Sequence, residues 1–189
     1  CPFTMQKGTF YEPVCSNIEF SNMYINSGLH SRYNEGAIYK CFMDVWGTGT
    51  VFRNIWEEHF ECGFWFGDYN GKIDYSKNVK VIDCRIRNNY ADGVNFCIGT
   101  SNSAVYNCSI RNNGDDGLAV WPDDSKGPKS ADNNIFAYNT IELGWRAGGV
   151  AIYGGDGHKI YNNYICDMFM ASGIHLNTTF SGPRFKNTN

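Results

Sequence analysis

Cys108–Trp121 reads CSIRNNGDDGLAVW, and Cys84–Phe96 reads CRIRNNYADGVNF. Both carry a Cys, an Ile, an Arg-Asn-Asn and an Asp-Gly, and the two copies start 24 residues apart. A period of this size is the mark of a repeat architecture. Extending it in both directions gives one glycine per unit: Gly36, Gly63, Gly93, Gly117, Gly149 and Gly173. A short segment follows each: AIYK, FWFG, VNFC, LAVW, VAIY and IHLN. Its first and third positions are apolar or aromatic in all six, and the second varies, as expected of a strand with one buried face.

A second strand precedes each glycine. Apolar residues pair five apart at Phe20/Ile25, Val51/Trp56, Val81/Ile86, Val105/Ile110, Phe136/Ile141 and Ile160/Ile165. The second member lies seven or eight residues before the glycine in five units and eleven before it in the first. Between the members stand Met23, Asn54, Cys84, Cys108, Asn139 and Asn163, all but the first small or polar residues suited to a stacked ladder in which each side chain bonds its equivalent one unit away. Composition agrees: 22 asparagines, which favour turns, and only four leucines, too few for leucine-rich repeats. The pattern predicts an all-β fold, a right-handed parallel β-helix of about six coils, with residues 1–189 as one domain and regular coils over about 18–180. No amphipathic capping helix precedes Phe20, so a fragment of a longer β-helix is expected.

The net charge is −3 and no basic stripe is present, which argues against a nucleic-acid partner. No apolar run is long enough for a membrane helix. Eight cysteines without a C-x-x-C spacing lean towards an oxidising, extracellular setting and away from a zinc ribbon. Cys84 and Cys108 share one internal column, as a disulfide or as stacked thiols. Asn177-Thr178-Thr179 is a glycosylation sequon if the source is eukaryotic.

Two units differ from the rest. The residue before the glycine is Glu35, Cys62, Asp92, Asp116, Gly148 and Ser172; one earlier come Asn34, Glu61, Ala91, Asp115, Ala147 and Ala171. Asp92 and Asp116 are therefore column neighbours about 5 Å apart at the backbone. With Asp115, three carboxylates converge mid-rod. A lone Asp-Gly is ordinary turn chemistry. Stacked like charges repel, however, and a structural ladder would favour Asn. Crowding raises at least one pKa, leaving an acid beside ionised bases, as glycosidic cleavage requires. The competing reading of such oxygens is a Ca²⁺ site.

NNYADGVNF followed by TSNSAVYNCSIRNNGDDGLAVW resembles the catalytic core of glycoside hydrolase family 87, the α-1,3-glucanases and mycodextranases. The close likeness covers about residues 78–121. It implies a β-helical enzyme that hydrolyses α-1,3-glucosidic bonds with inversion, on Asp92, Asp115 and Asp116. No cofactor is then required, though a structural Ca²⁺ is compatible, and the partner is an α-glucan of the mutan or nigeran type met outside the cell. By position, Asp92 and Asp116 share a water as general base and Asp115 is the acid, with the Asp115 and Asp116 roles open to exchange. Polygalacturonases share the fold and a similar Asp…Asp-Asp layout, and a non-catalytic carbohydrate-binding or adhesin segment is the other alternative.

Outward positions beside the acids should line a cleft. Trp65, Trp121 and Tyr153 offer sugar platforms, or else packing; Asn95 and His175 are further substrate-binding candidates, with His59 and His158 as weaker ones. The polar stretch 122–134 is long enough for one lip. Lys40 is the lysine of the outward columns, three coils from Asp116, and Arg87 and Arg111 are placed to neutralise the aspartates. A cleft otherwise neutral, aromatic and acidic favours an uncharged glucan over polygalacturonate.

Overall fold

The computed structural model describes residues 3–4, 16–28, 40–67, 76–125 and 129–189. These residues form strands joined by turns, with no helix among them, and every ladder is parallel. One sheet runs β1 (Phe3–Thr4), β3 (Lys40–Asp44), β5 (Cys62–Phe66), β8 (Val94–Cys97), β11 (Leu118–Trp121), β14 (Val150–Ile152) and β17 (Ile174–Leu176), in that order. The second sheet is built on β2 (Glu19–Asn26) and β4 (Val51–Glu58). From the first half of β4 it continues through β6 (Lys80–Ile82), β9 (Ala104–Tyr106), β12 (Ile135–Ala137) and β15 (Lys159–Tyr161). From its second half it continues through β7 (Arg85–Arg87), β10 (Ser109–Arg111), β13 (Thr140–Glu142) and β16 (Tyr164–Cys166). Each strand pairs with its equivalent one repeat on, a β-helix-like stack.

The asparagines explain the corners. Asn22, Asn54, Asp83, Asn107, Tyr138 and Asn162 form one column of left-handed residues, all with φ between 50° and 59°. Asn17, Asn78, Asn102, Asn133 and Asn187 belong to a second, and His59, Asn88, Asn112, Leu143 and Asp167 to a third. Among residues with a side chain, Asn and Asp tolerate this conformation best. The amides also stack: Asn54 donates to Asn22, Asn107 to Asp83 and Asn112 to Asn88, each at 2.8 Å.

Inside, aromatic rings stack from unit to unit, Phe42 on Phe64 at 4.9 Å and Phe66 on Phe96 at 5.9 Å. Phe52 lies among Phe20, Phe42, Trp46, Phe64 and Phe66. Polar ladders are present, but mainly as side chains that cap the backbone of the preceding unit. Cys108 Sγ accepts from Cys84 N, Asn139 Oδ1 from Cys108 N, and Asn163 Oδ1 from Asn139 N. A parallel ladder runs through Ser103, Asn134 and His158, and another through Asn89 and Asn113. Cys84 and Cys108 are thiols, as are Cys41, Cys62, Cys97 and Cys166.

Two expected registers are corrected. Gly36, with Asn34, Glu35 and Ala37–Tyr39, lies outside the described residues; the strand that stacks on Phe64 is centred on Phe42, and Lys40 falls in the Cys62 column. In the next unit the inward pair is Phe52/Glu57 rather than Val51/Trp56, and Ile55 rather than Asn54 faces in. The corner from Glu57 to Gly63 is one residue shorter than that from Ile86 to Gly93, so constant spacing from the glycine lands one residue off. A one-residue slip reverses every side chain. Trp56 is consequently on the surface under Arg85 and Arg87, and Glu57 is fully buried in a column otherwise made of Ile25, Ile86, Ile110, Ile141 and Ile165.

Candidate active site

The turns that enter β8 and β11 put Asp92 directly beside Asp116, as their glycines demand. Val94 pairs with Leu118, and Gly93 N donates to Asp116 O. No Cβ fits at Gly93, where it would meet Gly117 O at 2.5 Å, so the two turns close to full ladder contact. Asp92 and Asp116 are 5% and 3% exposed, while Asp115 opens further towards solvent. One oxygen from each of the three lies within 4.8 Å of the others.

Each carboxyl is held differently. Asn95 Nδ2 donates to Asp92 Oδ2 at 3.1 Å, and the thiol of Cys97 donates to Asn95 Oδ1, which fixes the amide. Gly148 N donates to Asp116 Oδ1 at 2.9 Å and the Tyr153 hydroxyl to Asp116 Oδ2 at 2.8 Å. Arg146 Nη2 pairs with Asp115 Oδ2 at 3.2 Å. Burial, then repulsion from Asp115 and Asp116, drives Asp92 well above the usual carboxylate range. Burial also pushes Asp116 up to about 6, against the opposing pull of the Tyr153 hydrogen bond. The Tyr153 hydroxyl is raised by burial and by the neighbouring Asp116. The buried pair therefore takes up a proton more readily than ordinary carboxylates do. Three oxygens this close have the chemistry of a cation site, but Asp116 already meets a donor on each oxygen and Asp115 meets a guanidinium. Each carboxylate oxygen keeps a further lone pair, so these contacts leave the cluster compatible with a hard cation.

A cleft of about 140 Å³ opens over the acids, lined by Trp65, Asp92, Asn95, Asp115, Asp116, Trp121, Tyr153 and Phe180. Trp65 and Trp121 meet edge-to-face at 5.8 Å, and Phe180 packs on Trp121 and Tyr153 at 5.6 and 4.9 Å. The larger groove, about 740 Å³ around Trp145 and Phe169, is lined by none of the acids. Of the sequence-predicted residues, Trp65, Asn95, Trp121 and Tyr153 converge here. Tyr153 does so as a hydrogen-bond partner of Asp116, in addition to any platform role. His175 lies beside Tyr153 at 5.9 Å and is bonded to Asn177.

Other candidates fall elsewhere. His158 is buried in a backbone ladder, with Nδ1 accepting from Asn134 N, and His59 sits at a left-handed corner near Asn26. Arg87 bonds Ser109 and Arg111 pairs with Glu142, so neither neutralises the aspartates. They lie at the end of the preceding strand, before the corner, and point along that face. Lys40 stands in the aspartate column, beside Cys62, where Glu61 holds it at 2.5 Å, 5.0 Å over Trp65. Arg146, Gly148, Glu61 and Phe180 were not singled out from sequence. Arg146 and Gly148 follow Trp145 in the turn of the next unit, where the column rule already placed Gly148 beside Asp116. Residues 126–128 of the expected lip lie outside the described residues; Phe180 packs against Trp121.

A model of the family described as alpha-1,3-glucanase catalytic domain D2 matches residues 14–184. The chain is similar to the crystal structure of the Agl-KA catalytic domain, with a TM-score of 0.85 and 54% identity over 90% of this chain and 30% of that one. It is also similar to the crystal structure of the catalytic unit of the thermostable GH87 alpha-1,3-glucanase from Streptomyces thermodiastaticus strain HF3-3. There the TM-score is 0.63 and the identity 27%, over 76% of this chain and 27% of that one. The chain thus spans less than a third of either catalytic unit. No curated protein matches it.

Proposed function

Because the chain belongs to the alpha-1,3-glucanase catalytic domain D2 family, we propose that it carries the catalytic centre of a glycoside hydrolase that cleaves α-1,3-glucosidic bonds of an α-glucan. The observation that carries this reading is the cluster of Asp92, Asp115 and Asp116 at the floor of an aromatic cleft. Fold and resemblance extend it: we take the stack as a right-handed parallel β-helix of about six coils, in keeping with the right-handed preference of parallel crossovers.

The reaction needs one proton donated to the leaving oxygen and one removed from water. Asp115, the most open of the three, is the donor to the leaving oxygen. Asp92 and Asp116 face each other across one ladder rung and position the water. Burial favours protonation of the buried pair, and one oxygen of each lies within 4.8 Å of one on Asp115; a proton passed from the pair to Asp115 would create acid and base together. Inverting pairs usually stand about 6.5–9.5 Å apart. The residues supply acid, base and water contacts themselves, so the reading calls for no cofactor and leaves a structural Ca²⁺ elsewhere compatible.

The substrate class follows from charge. Lys40, the cation of the aspartate column, is paired with Glu61 and is not offered to a substrate carboxylate. The cleft otherwise presents two indoles, a phenyl and a phenol, which suit the apolar faces of neutral sugars, beside an amide and the acids. A polymer of this kind is met outside the cell, so we place the protein there.

Incubating the full-length protein with α-1,3-glucan, nigeran, dextran and polygalacturonate tests the reading. Reducing ends are expected from α-1,3-glucan or nigeran, with the first product in the inverted anomeric form by NMR. Release from polygalacturonate alone would replace this reading with a pectin hydrolase. Binding without release, unaffected by Asp→Asn substitution, would replace it with a carbohydrate-binding segment.

A further inference from the structure

The turn that follows the two aspartate turns, Trp145–Gly149, reaches back over them. It delivers Gly148 N to Asp116 and the Arg146 guanidinium to Asp115. Arg146 makes further bonds within the same backing: Nε donates to Gly114 O at 3.2 Å and Nη2 to Tyr90 O at 3.5 Å. Its plane lies over the Tyr90 ring at 4.8 Å and near the Trp145 ring at 5.6 Å, and those two rings meet edge-to-face. Gly114 is what lets the assembly close. A Cβ there would sit 1.9 Å from Tyr90 O and 2.4 Å from the Trp145 ring.

We propose that Arg146 is the positioning residue of this centre, fixing the orientation of the Asp115 carboxyl and the protonation of the three-aspartate cluster by tying Asp115 to the backbone of both catalytic turns. The proposal rests on the reading of Asp115 as the proton donor. A guanidinium suits the task because its rigid fork bonds a carboxylate and two carbonyls at once and keeps its charge at every working pH. Removing a cation a few ångströms from a carboxylate cluster lets its members bind protons more tightly. The other groups that act on the cluster are Glu61, Cys62, Tyr153 and His175, with the hydrogen bonds from Asn95 to Asp92 and from Gly148 N to Asp116. The Tyr90 ring shields one side of the guanidinium.

The test compares R146Q and R146K with the parent in the full-length protein. The aspartate carboxyls are titrated by carbon NMR with label in the carboxyl carbons, the three cluster signals being assigned through the Asp→Asn variants. R146Q should move the cluster midpoints up by about one pH unit. R146K should leave them near the parent values, because it keeps the charge. On α-1,3-glucan, R146Q should lower kcat by about 100-fold with KM changed by less than about threefold. R146K should recover only part of kcat, since an ammonium cannot span the three acceptors. Unmoved midpoints in R146Q would overturn the proposal. So would a loss shared equally by R146Q and R146K that merely follows a lower Tm. If the parent protein hydrolyses no glucan, the functional reading falls, while the titration still decides whether Arg146 sets the cluster's protonation.

Discussion

Replacing Asp116 with Asn should make the protein more stable above pH 6 while abolishing turnover. Asp116 is 3% exposed, and burial is the first cause of its rise from 3.8 to about 6. A carboxyl whose folded pKa exceeds its unfolded value supports the fold below the unfolded value. That support is lost as pH rises through the folded value. The window here runs from about pH 4 to just above pH 6. A rise from 3.8 to about 6 corresponds to about 3 kcal/mol at ~1.4 kcal/mol per pH unit. Asn escapes this penalty and keeps both contacts in kind: Oδ1 can accept from Gly148 N, and Nδ2 can donate to the Tyr153 oxygen, which then acts as acceptor. Removing one charge also eases the protonation demand on Asp92, which acts in the same direction. The gap in Tm between D116N and the parent should thus widen from pH 4 to pH 7 by roughly 6–12 °C, at ~2–4 °C per kcal/mol for a domain of this size. Thermal unfolding by circular dichroism in steps across that range measures it. A gap that stays constant, or that narrows with rising pH, would refute the assignment of a strained, partly protonated cluster.

Glu57→Gln should likewise stabilise at neutral and alkaline pH. Burial holds the Glu57 carboxyl well above its ordinary range, so its support for the fold is present below about pH 4.5 and fades as pH rises, a trend that thermal scans of the variant should lack. His158 has the opposite slope: burial lowers its pKa, so stability is full above about pH 6.5 and declines on acidification, and His158→Asn should flatten that decline. Asn89→Ala strips the partners of Phe60 N and of Glu57 Oε1 and should cost ~2–6 kcal/mol by denaturant unfolding, about 1–3 for each buried group left unpaired. Trp65→Ala should raise KM for α-1,3-glucan about tenfold with kcat within about threefold in steady-state assays, since a platform binds ground and transition states alike.

How far the sequence revealed this depended on which positions the stacking constrains. Where two units have corners of equal length, as from Ile86 to Gly93 and Ile110 to Gly117, column arithmetic placed Asp92 on Asp116 correctly, and the strand-entry glycines made that register rigid. The rule held where the corner lengthened to eight residues, from Ile141 to Gly149, and failed where it shortened to six. Around Glu57 a single missing residue exchanged the inner and outer faces, and the apolar Trp56 hid the slip because a surface Trp under two arginines reads like a core residue. The site's supports were harder to see for another reason. The sequence gives neighbours along a column, whereas Arg146 works diagonally, from one unit's turn back across the backbone of the two before it. Its length and its bed between Tyr90 and Trp145 decide where it ends, and neither shows in a periodic pattern. Glycine was the available signal. A turn reading Asn-Asn-Gly-Asp-Asp-Gly has a second glycine, Gly114, that the strand-entry rule does not require. A glycine in excess of the repeat marks a place where another chain segment must approach the backbone closely, and here that segment is Trp145 with the arginine beside it.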